Sequence, residues 1–275
     1  MAVMADIETV AVIGVGTMGE AMVGHIDEGG YDVYAYDVDC EKAKEAVESR
    51  ATVTDTLERA VRPAEMIIIA VGTYEQAKSV VYDTGGILES ATAGDVVAIS
   101  STLSPGQCIS LSEDLRDEEI EPIGAPTCRG EKAARRGDLL VFVGSDRSVY
   151  DKARLVLEQF SSPENVVHLG PVGSGQAAKA ANNALLWSSV VANQEVLLLA
   201  EAYELDLDLV RELLQKSTGS NWALGGWDWM HTKWAHKDMD IISDMAKRQD
   251  VRIPSLALTE QLVQEIDQDE LDRTR

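Results

Sequence analysis

The chain of 275 residues is short of cysteine, histidine, lysine and long apolar runs, and each shortage excludes something. Its three cysteines, Cys40, Cys108 and Cys128, are odd in number and widely spaced, which is no disulfide framework. Its four histidines, His25, His168, His231 and His236, form no His-x-x-x-His pair and the cysteines no Cys-x-x-Cys pair, so no metal site is expected. No apolar run reaches the ~18 residues that a transmembrane helix needs. The first residues carry an acid and no basic stretch, unlike a secretory leader. These absences predict a cytoplasmic protein with no membrane partner.

Positive charge is scarce as well. The 24 basic residues, only 10 of them lysine, face 47 acidic ones, for a net charge of −23 and an isoelectric point near 4.4. A domain that grips nucleic-acid phosphates needs a basic stripe, so no nucleic-acid partner is expected. Residues 1–150 hold 27 acidic and 12 basic residues, and residues 151–275 hold 20 and 12, so the excess is spread rather than confined to a tail. Such even acidity suits concentrated salt, where the Debye length falls to ~3 Å and like-charge repulsion is screened. A salt-adapted protein is the expectation.

What the chain does have is 45% apolar residues, enough for a proper core. β-rich runs at Thr9–Ile13, Asp32–Tyr36, 66–71 and 95–100 alternate with helical spacing at 18–28 and 41–49. Further strands are predicted at 139–143 and 165–169, with a helix at 148–160 between them. Strand–helix alternation predicts βαβ units and a parallel sheet. After Gly170 the texture changes. From Gln176 to about Ala202 there is neither proline nor glycine, which predicts one helix of some 27 residues, long enough to join two domains. More helices are predicted at 208–216, 238–249 and 255–267, with a frayed charged end over 267–275. The expected fold is α/β: a doubly wound sheet over 1–170, then an all-α domain over 171–275, joined by the long inter-domain helix.

The strand at Thr9–Ile13 runs into Gly14-Val15-Gly16-Thr17-Met18-Gly19, which opens a helix. This Gly-x-Gly-x-x-Gly in a strand–turn–helix setting is the phosphate cradle of Rossmann-type dinucleotide-binding domains. The first glycine makes the turn, the second admits the pyrophosphate and the third lets the helix pack on the strand. Asp37, 18 residues after Gly19 at the end of the second strand, is placed to accept hydrogen bonds from the adenosine ribose. With Asp39 and Glu41 beside it and no arginine, a 2′-phosphate would be repelled, so NAD is expected and NADP disfavoured.

The long helix opens with Gly170-Pro-Val-Gly173-Ser-Gly175-Gln-Ala-Ala-Lys179-Ala-Ala-Asn182-Asn183. Lys179 and Asn183 are four apart and share a helix face edged by alanines. A lysine on such a low surface, losing water under bound ligands, is suited to proton exchange. At this point the chain resembles the β-hydroxyacid dehydrogenase family, which includes 3-hydroxyisobutyrate dehydrogenases and tartronate semialdehyde reductases. The family's Gly-rich loop matches Gly14–Gly19 with its usual Met18. Its Asp-x-Ser-Thr-x-x-Pro motif appears as Ile99-Ser-Ser101-Thr102-Leu-Ser-Pro105, its Ser-Gly-Gly loop as Cys128-Arg129-Gly130, its catalytic motif as Gly170 to Asn183, and its Lys-Asp-Leu as Lys237-Asp238-Met239.

The resemblance implies roles. Lys179 is the general acid/base. Asn183 hydrogen-bonds the substrate, Ser101 binds its carboxylate, and Cys128, Arg129 and Gly130 belong to the substrate loop. Gly14, Val15, Gly16, Thr17, Met18, Gly19, Asp37, Val71, Thr102 and Lys237 hold the cofactor. A homodimer or homotetramer and a small anionic substrate are implied too. Two departures stand out: Ile99 replaces an aspartate, and Arg129 replaces a glycine. Sulfolactaldehyde reductases of the family look similar at Arg129, whose planar fork suits an anion such as a sulfonate or phosphate. Four of the five tryptophans cluster at 222–234 and are expected mostly in the core. Imine reductases share the architecture but commonly carry aspartate or tyrosine in place of Lys179. Short 6-phosphogluconate dehydrogenases usually carry histidines beside the lysine, and none is present in 176–183. A non-catalytic NAD-binding regulator is the alternative from another class.

Overall fold

A computed structural model of the chain describes residues 7–47, 49–266 and 268–274. The N-terminal stretch on which the leader expectation rests lies outside the described residues. The chain divides between Lys179 and Ala180 into two compact units. The division falls inside a 29-residue helix, Ser174–Ala202, rather than at the turn cluster before it.

The first unit is a nine-stranded sheet. Its strands are β1 (Thr9–Ile13), β2 (Asp32–Tyr36), β3 (Thr52–Val53), β4 (Met66–Ile69), β5 (Val96–Ile99), β6 (Glu121–Gly124), β7 (Thr127–Cys128), β8 (Leu139–Gly144) and β9 (Ser161–Gly170). Six of them run parallel in the order β3-β2-β1-β4-β5-β6. β8 then turns antiparallel to β6 and β7, and β9 pairs parallel with β8. The order reverses between β1 and β4, the topological switch point beyond which ligands bind in such sheets.

The central strands read as unbroken β-branched runs because both faces are covered. Val10, Val12, Met66, Ile68, Val96 and Ala98 pack on one side with Met22, Val23 and Ile26 of the helix Thr17–Glu28. Ala11, Ile13, Ile67, Ile69, Val97 and Ile99 pack on the other with Val80, Val81, Leu111 and Leu115. Two covering helices, Tyr74–Tyr82 and Pro105–Asp117, carry full capping boxes, Thr73 with Gln76 and Ser104 with Gln107. In each, the hydroxyl and the glutamine amide satisfy one another's backbone N–H groups at the helix start.

The second unit is helical: the rest of Ser174–Ala202, then Leu207–Gln215, Trp222–Gly225, Ala235–Arg248, Pro254–Glu265 and Gln268–Arg273. Trp187, Val190, Leu197, Leu224, Trp227, Met239, Ile242, Val263 and Leu271 form its core. Trp187 Nε1 donates to the buried Asp238 at 3.1 Å, tying the helix of Asn183 to that of Lys237.

Two expectations are corrected here. Of the four clustered tryptophans only Trp227 is in the core; Trp222 and Trp234 are exposed, and Trp222 and Trp229 stack edge to face at 5.1 Å. The described part of the chain end is anchored rather than frayed. Leu271 and Thr274 are fully buried, and the Thr274 hydroxyl accepts from Trp227 Nε1 at 3.1 Å and donates to Gln194 at 3.0 Å. Its burial in partners some 47 and 80 residues away leaves no trace in local charge density.

Candidate active site

In the first unit the chain leaves β1 at Gly14, whose φ of 97° is left-handed. A Cβ there would meet the Ala70 carbonyl oxygen at 2.8 Å, and a Cβ at Gly19 would lie 1.9 Å from the Gly14 oxygen. The helix Thr17–Glu28 therefore starts directly against the turn. Its N-cap is Gly16, which offers no side-chain acceptor, so the first N–H groups have no cap. Nothing lies within 4 Å of the position a Gly16 Cβ would take. This is a cradle of open N–H donors with room in front of it, and a pyrophosphate fits it in charge and in shape. The side chains of Val15 and Met18 turn toward the core, while Gly16 and Thr17 are exposed.

Asp37 closes the cradle. One carboxylate oxygen accepts the Val15 N–H at 2.7 Å and the other accepts the Asp39 N–H at 3.1 Å. The carboxylate is thus held beside the loop at the end of β2, with lone pairs left for a ribose diol. Val71, at the end of β4, packs its side chain against Gly14.

The segment after β5 is fastened twice. Ser101 is buried, and its Oγ accepts the Val71 N–H at 3.0 Å and faces the Ile69 carbonyl at 3.3 Å. Its single proton is directed to the Ile69 carbonyl. Gln176, also buried, accepts the Leu103 N–H at 3.1 Å and donates to the Ser101 carbonyl at 2.8 Å. The polar contacts of Ser101 span 30 to 75 positions in sequence. Thr102 lies between the two clamped residues, partly exposed.

Arg129 is likewise committed. Its guanidinium donates to the Asp138 carboxylate at 2.8 Å, to the Asp138 carbonyl at 3.2 Å and to Asn165 at 3.2 Å. The expected fork for a substrate anion instead pairs across to the start of β8 and to β9. Arg129 and Gly130 both take left-handed φ values, 82° and 71°. Cys128 is buried beside Lys179: the charge of Lys179 and its hydrogen bond pull the thiol downward, but burial is stronger and raises it above the usual thiol range. Lys179, Cys128, the Ser101 segment and the dinucleotide cradle are thus all built on the first unit.

The second unit carries Asn183, buried and accepting from Asn182 at 3.0 Å, and Lys237, whose ammonium stands 5.1 Å from the centre of the Trp234 ring. Sequence reasoning passed over Gln176; its place directly after Gly173-Ser174-Gly175, as a polar residue on a stretch rich in alanine, was the available signal. Among the described residues no group of three or more histidine, cysteine or acidic side chains could hold a metal ion. Among the described residues no helix is long and apolar enough to cross a membrane.

Two stretches of the chain match known protein families. Residues 9–170 match the NAD binding domain of 6-phosphogluconate dehydrogenase. Residues 173–274 match the NAD-binding domain of NADP-dependent 3-hydroxyisobutyrate dehydrogenase. The chain is 33% identical to mitochondrial 3-hydroxyisobutyrate dehydrogenase of Mus musculus over 225 residues, covering 80% of this chain and 65% of that one. It is 29% identical to NAD-dependent L-serine dehydrogenase of Pseudomonas aeruginosa over 215 residues, 78% of this chain and 72% of that one. In fold it is similar to the Mycobacterium tuberculosis 3-hydroxyisobutyrate dehydrogenase solved with L-serine, with a TM-score of 0.83 at 23% identity, covering 98% and 99% of the two chains.

The matching family models and the dehydrogenase relatives make this chain a nicotinamide-dinucleotide-dependent oxidoreductase acting on CH–OH groups, built as a doubly wound unit followed by a helical one. Within that class, the chain belongs to the β-hydroxyacid dehydrogenase family, alongside the 3-hydroxyisobutyrate dehydrogenases.

Proposed function

We propose that the protein interconverts a small 3-hydroxy acid and its semialdehyde, with NAD as cofactor and Lys179 as general acid/base. The observation that carries this reading is the placement of Lys179 on the unit that forms the dinucleotide cradle, against the buried Cys128. The cradle Gly14–Gly19 and Asp37 would hold the cofactor, whose nicotinamide supplies the hydride acceptor or donor when bound. In oxidation, neutral Lys179 takes the hydroxyl proton as the carbon becomes a carbonyl; in reduction, the ammonium returns it to the carbonyl oxygen. Asn183, one turn further along the helix, is assigned to hold the substrate oxygen. Ser101 fixes the segment beside Thr102 and Val71 rather than gripping the carboxylate itself.

NAD is favoured over NADP because the Asp37 carboxylate, immobilised by two backbone N–H groups at the end of β2, would repel a 2′-phosphate. The commitment of Arg129 to Asp138 and Asn165 weighs for a carboxylate substrate and against a sulfonate-specific reductase. L-serine belongs on the list because a relative of 29% identity acts on it.

The test is turnover with NAD or NADH on L-serine, 3-hydroxyisobutyrate, tartronate semialdehyde, succinic semialdehyde and sulfolactaldehyde, using wild type and Lys179→Ala. The variant should lose at least ~100-fold in kcat while still binding NADH; retained turnover sinks the assignment. The acidity is proposed to be salt adaptation. Melting temperature and activity should both rise from dilute buffer to molar potassium chloride as repulsion among the −23 excess is screened; salt-independent values would refute that.

A further inference from the structure

We propose that Gln176 is a positioning residue of the dehydrogenase reaction: its amide locks the segment Ser101–Leu103 to the helix that carries Lys179. The inference rests on the proposed role of Lys179 and adds a residue to it. Gln176 stands in the first turn of Ser174–Ala202, three residues before Lys179, so the two side chains lie on adjoining parts of one helix face. It is 1% exposed. Its two polar atoms meet two complementary backbone groups: Oε1 accepts the Leu103 N–H at 3.1 Å and Nε2 donates to the Ser101 carbonyl at 2.8 Å.

The amide therefore bridges the residue between them, Thr102, as a neighbouring strand would. Its orientation is fixed by chemistry, because the flipped amide would set donor against donor and acceptor against acceptor. Only an amide of this length does both at once. The same segment is pinned from the other side, where Ser101 Oγ accepts the Val71 N–H at the end of β4 and Gly14 packs on Ala70 and Val71. A continuous set of contacts thus runs from the dinucleotide cradle through Val71, Ser101 and Gln176 to the turn of helix that bears Lys179. Gln176 touches no reacting atom. Its effect is to hold the proton-transferring amine in register with the cradle, where a displacement of about 1 Å can cost ~100-fold in rate.

The decisive substitution is Gln176→Glu. The carboxylate still accepts from Leu103 but faces the Ser101 carbonyl with an acceptor; the protonated acid regains the donor. Gln176→Leu loses both bonds at every pH. The assay is kcat per NADH-binding-competent protein from pH 5.5 to 9, on the panel acid that wild type oxidises fastest, with wild type at each pH as reference. NADH affinity and thermal unfolding are measured alongside, with Lys179→Ala as control.

The expected result is a 10- to 100-fold loss of kcat for Gln176→Glu at pH 8, NADH affinity within a few-fold of wild type, and a ratio to wild type that climbs as pH falls. Gln176→Leu, where it folds, should show a low, pH-flat ratio. Folded Gln176→Glu with wild-type kcat, or with a ratio independent of pH, overturns the proposal. Activity in Lys179→Ala would instead strike the underlying reading, so the two failures are told apart.

Discussion

Replacing Gly16 by alanine separates cofactor binding from folding at a single atom. Gly16 has φ −77° and ψ −174°, a conformation open to any residue. Nothing lies within 4 Å of an added methyl group. The folded state should take the change quietly. Alanine gains roughly 0.4–1 kcal/mol by restricting the unfolded chain, and gives back a similar amount as a poorer N-cap. Net stability should move by less than about 1 kcal/mol, or ~2–4 °C in Tm for a chain of this size. The methyl group does, however, fill the space that a pyrophosphate needs, and it holds the phosphate off the first N–H groups of the helix. Each charge-assisted bond lost costs about 1.5–3 kcal/mol, and at 1.4 kcal/mol per decade the NADH Kd should weaken roughly 10- to 150-fold. Gly19→Ala is the counter-case. Its Cβ would sit 1.9 Å from the Gly14 oxygen, so helix and turn must part and the fold itself should lose about 1–3 kcal/mol. Fluorescence titration of NADH and thermal unfolding on both variants decide the matter. A folded Gly16→Ala protein with wild-type NADH affinity would refute the cradle.

Two further predictions follow from the same contacts. Asp37→Ser keeps a hydroxyl for the loop but removes the charge that opposes a 2′-phosphate; the preference for NAD over NADP in kcat/KM should fall at least ~10-fold, equal to 1.4 kcal/mol, and an unchanged ratio would show that discrimination lies elsewhere. Burial raises the Cys108 thiol to about 11, and it raises Cys128 despite the pull of Lys179. Raised values leave both thiols protonated and inert at pH 8. Of the three free cysteines, only the half-buried Cys40 should react with a chromogenic disulfide in the native protein, and all three after denaturation; two fast native thiols would contradict the burial.

The order of chemistry along the chain was legible because it rests on local signals. Short β-rich runs bounded by turns located β1, β2 and the buried centre of the sheet. A strand running into Gly14–Gly19 marked the cradle, and 27 residues without glycine or proline marked the long helix. Each of these is a regularity within some ten to thirty residues, and backbone geometry alone enforces it. The short strands β3 and β7 and the antiparallel turn of β8 were not legible, since two residues carry no period and strand direction depends on where the chain returns.

What a polar side chain does was decided only by tertiary structure. Ser101, in a motif that suggested a carboxylate ligand, accepts the Val71 N–H and donates to the Ile69 carbonyl. Arg129, whose charge suggested an anion site, is paired with Asp138 and Asn165, and Gln176 emerges as a clamp on a segment some 75 residues away. The physical reason is common to the two buried ones, Ser101 and Gln176. A buried donor or acceptor must be satisfied by whatever group the fold sets within ~3 Å, and that group is fixed by strand order and packing, not by sequence neighbours. Composition and spacing thus set which functional groups this protein owns and in which order, and the folded chain set which partners the buried ones meet.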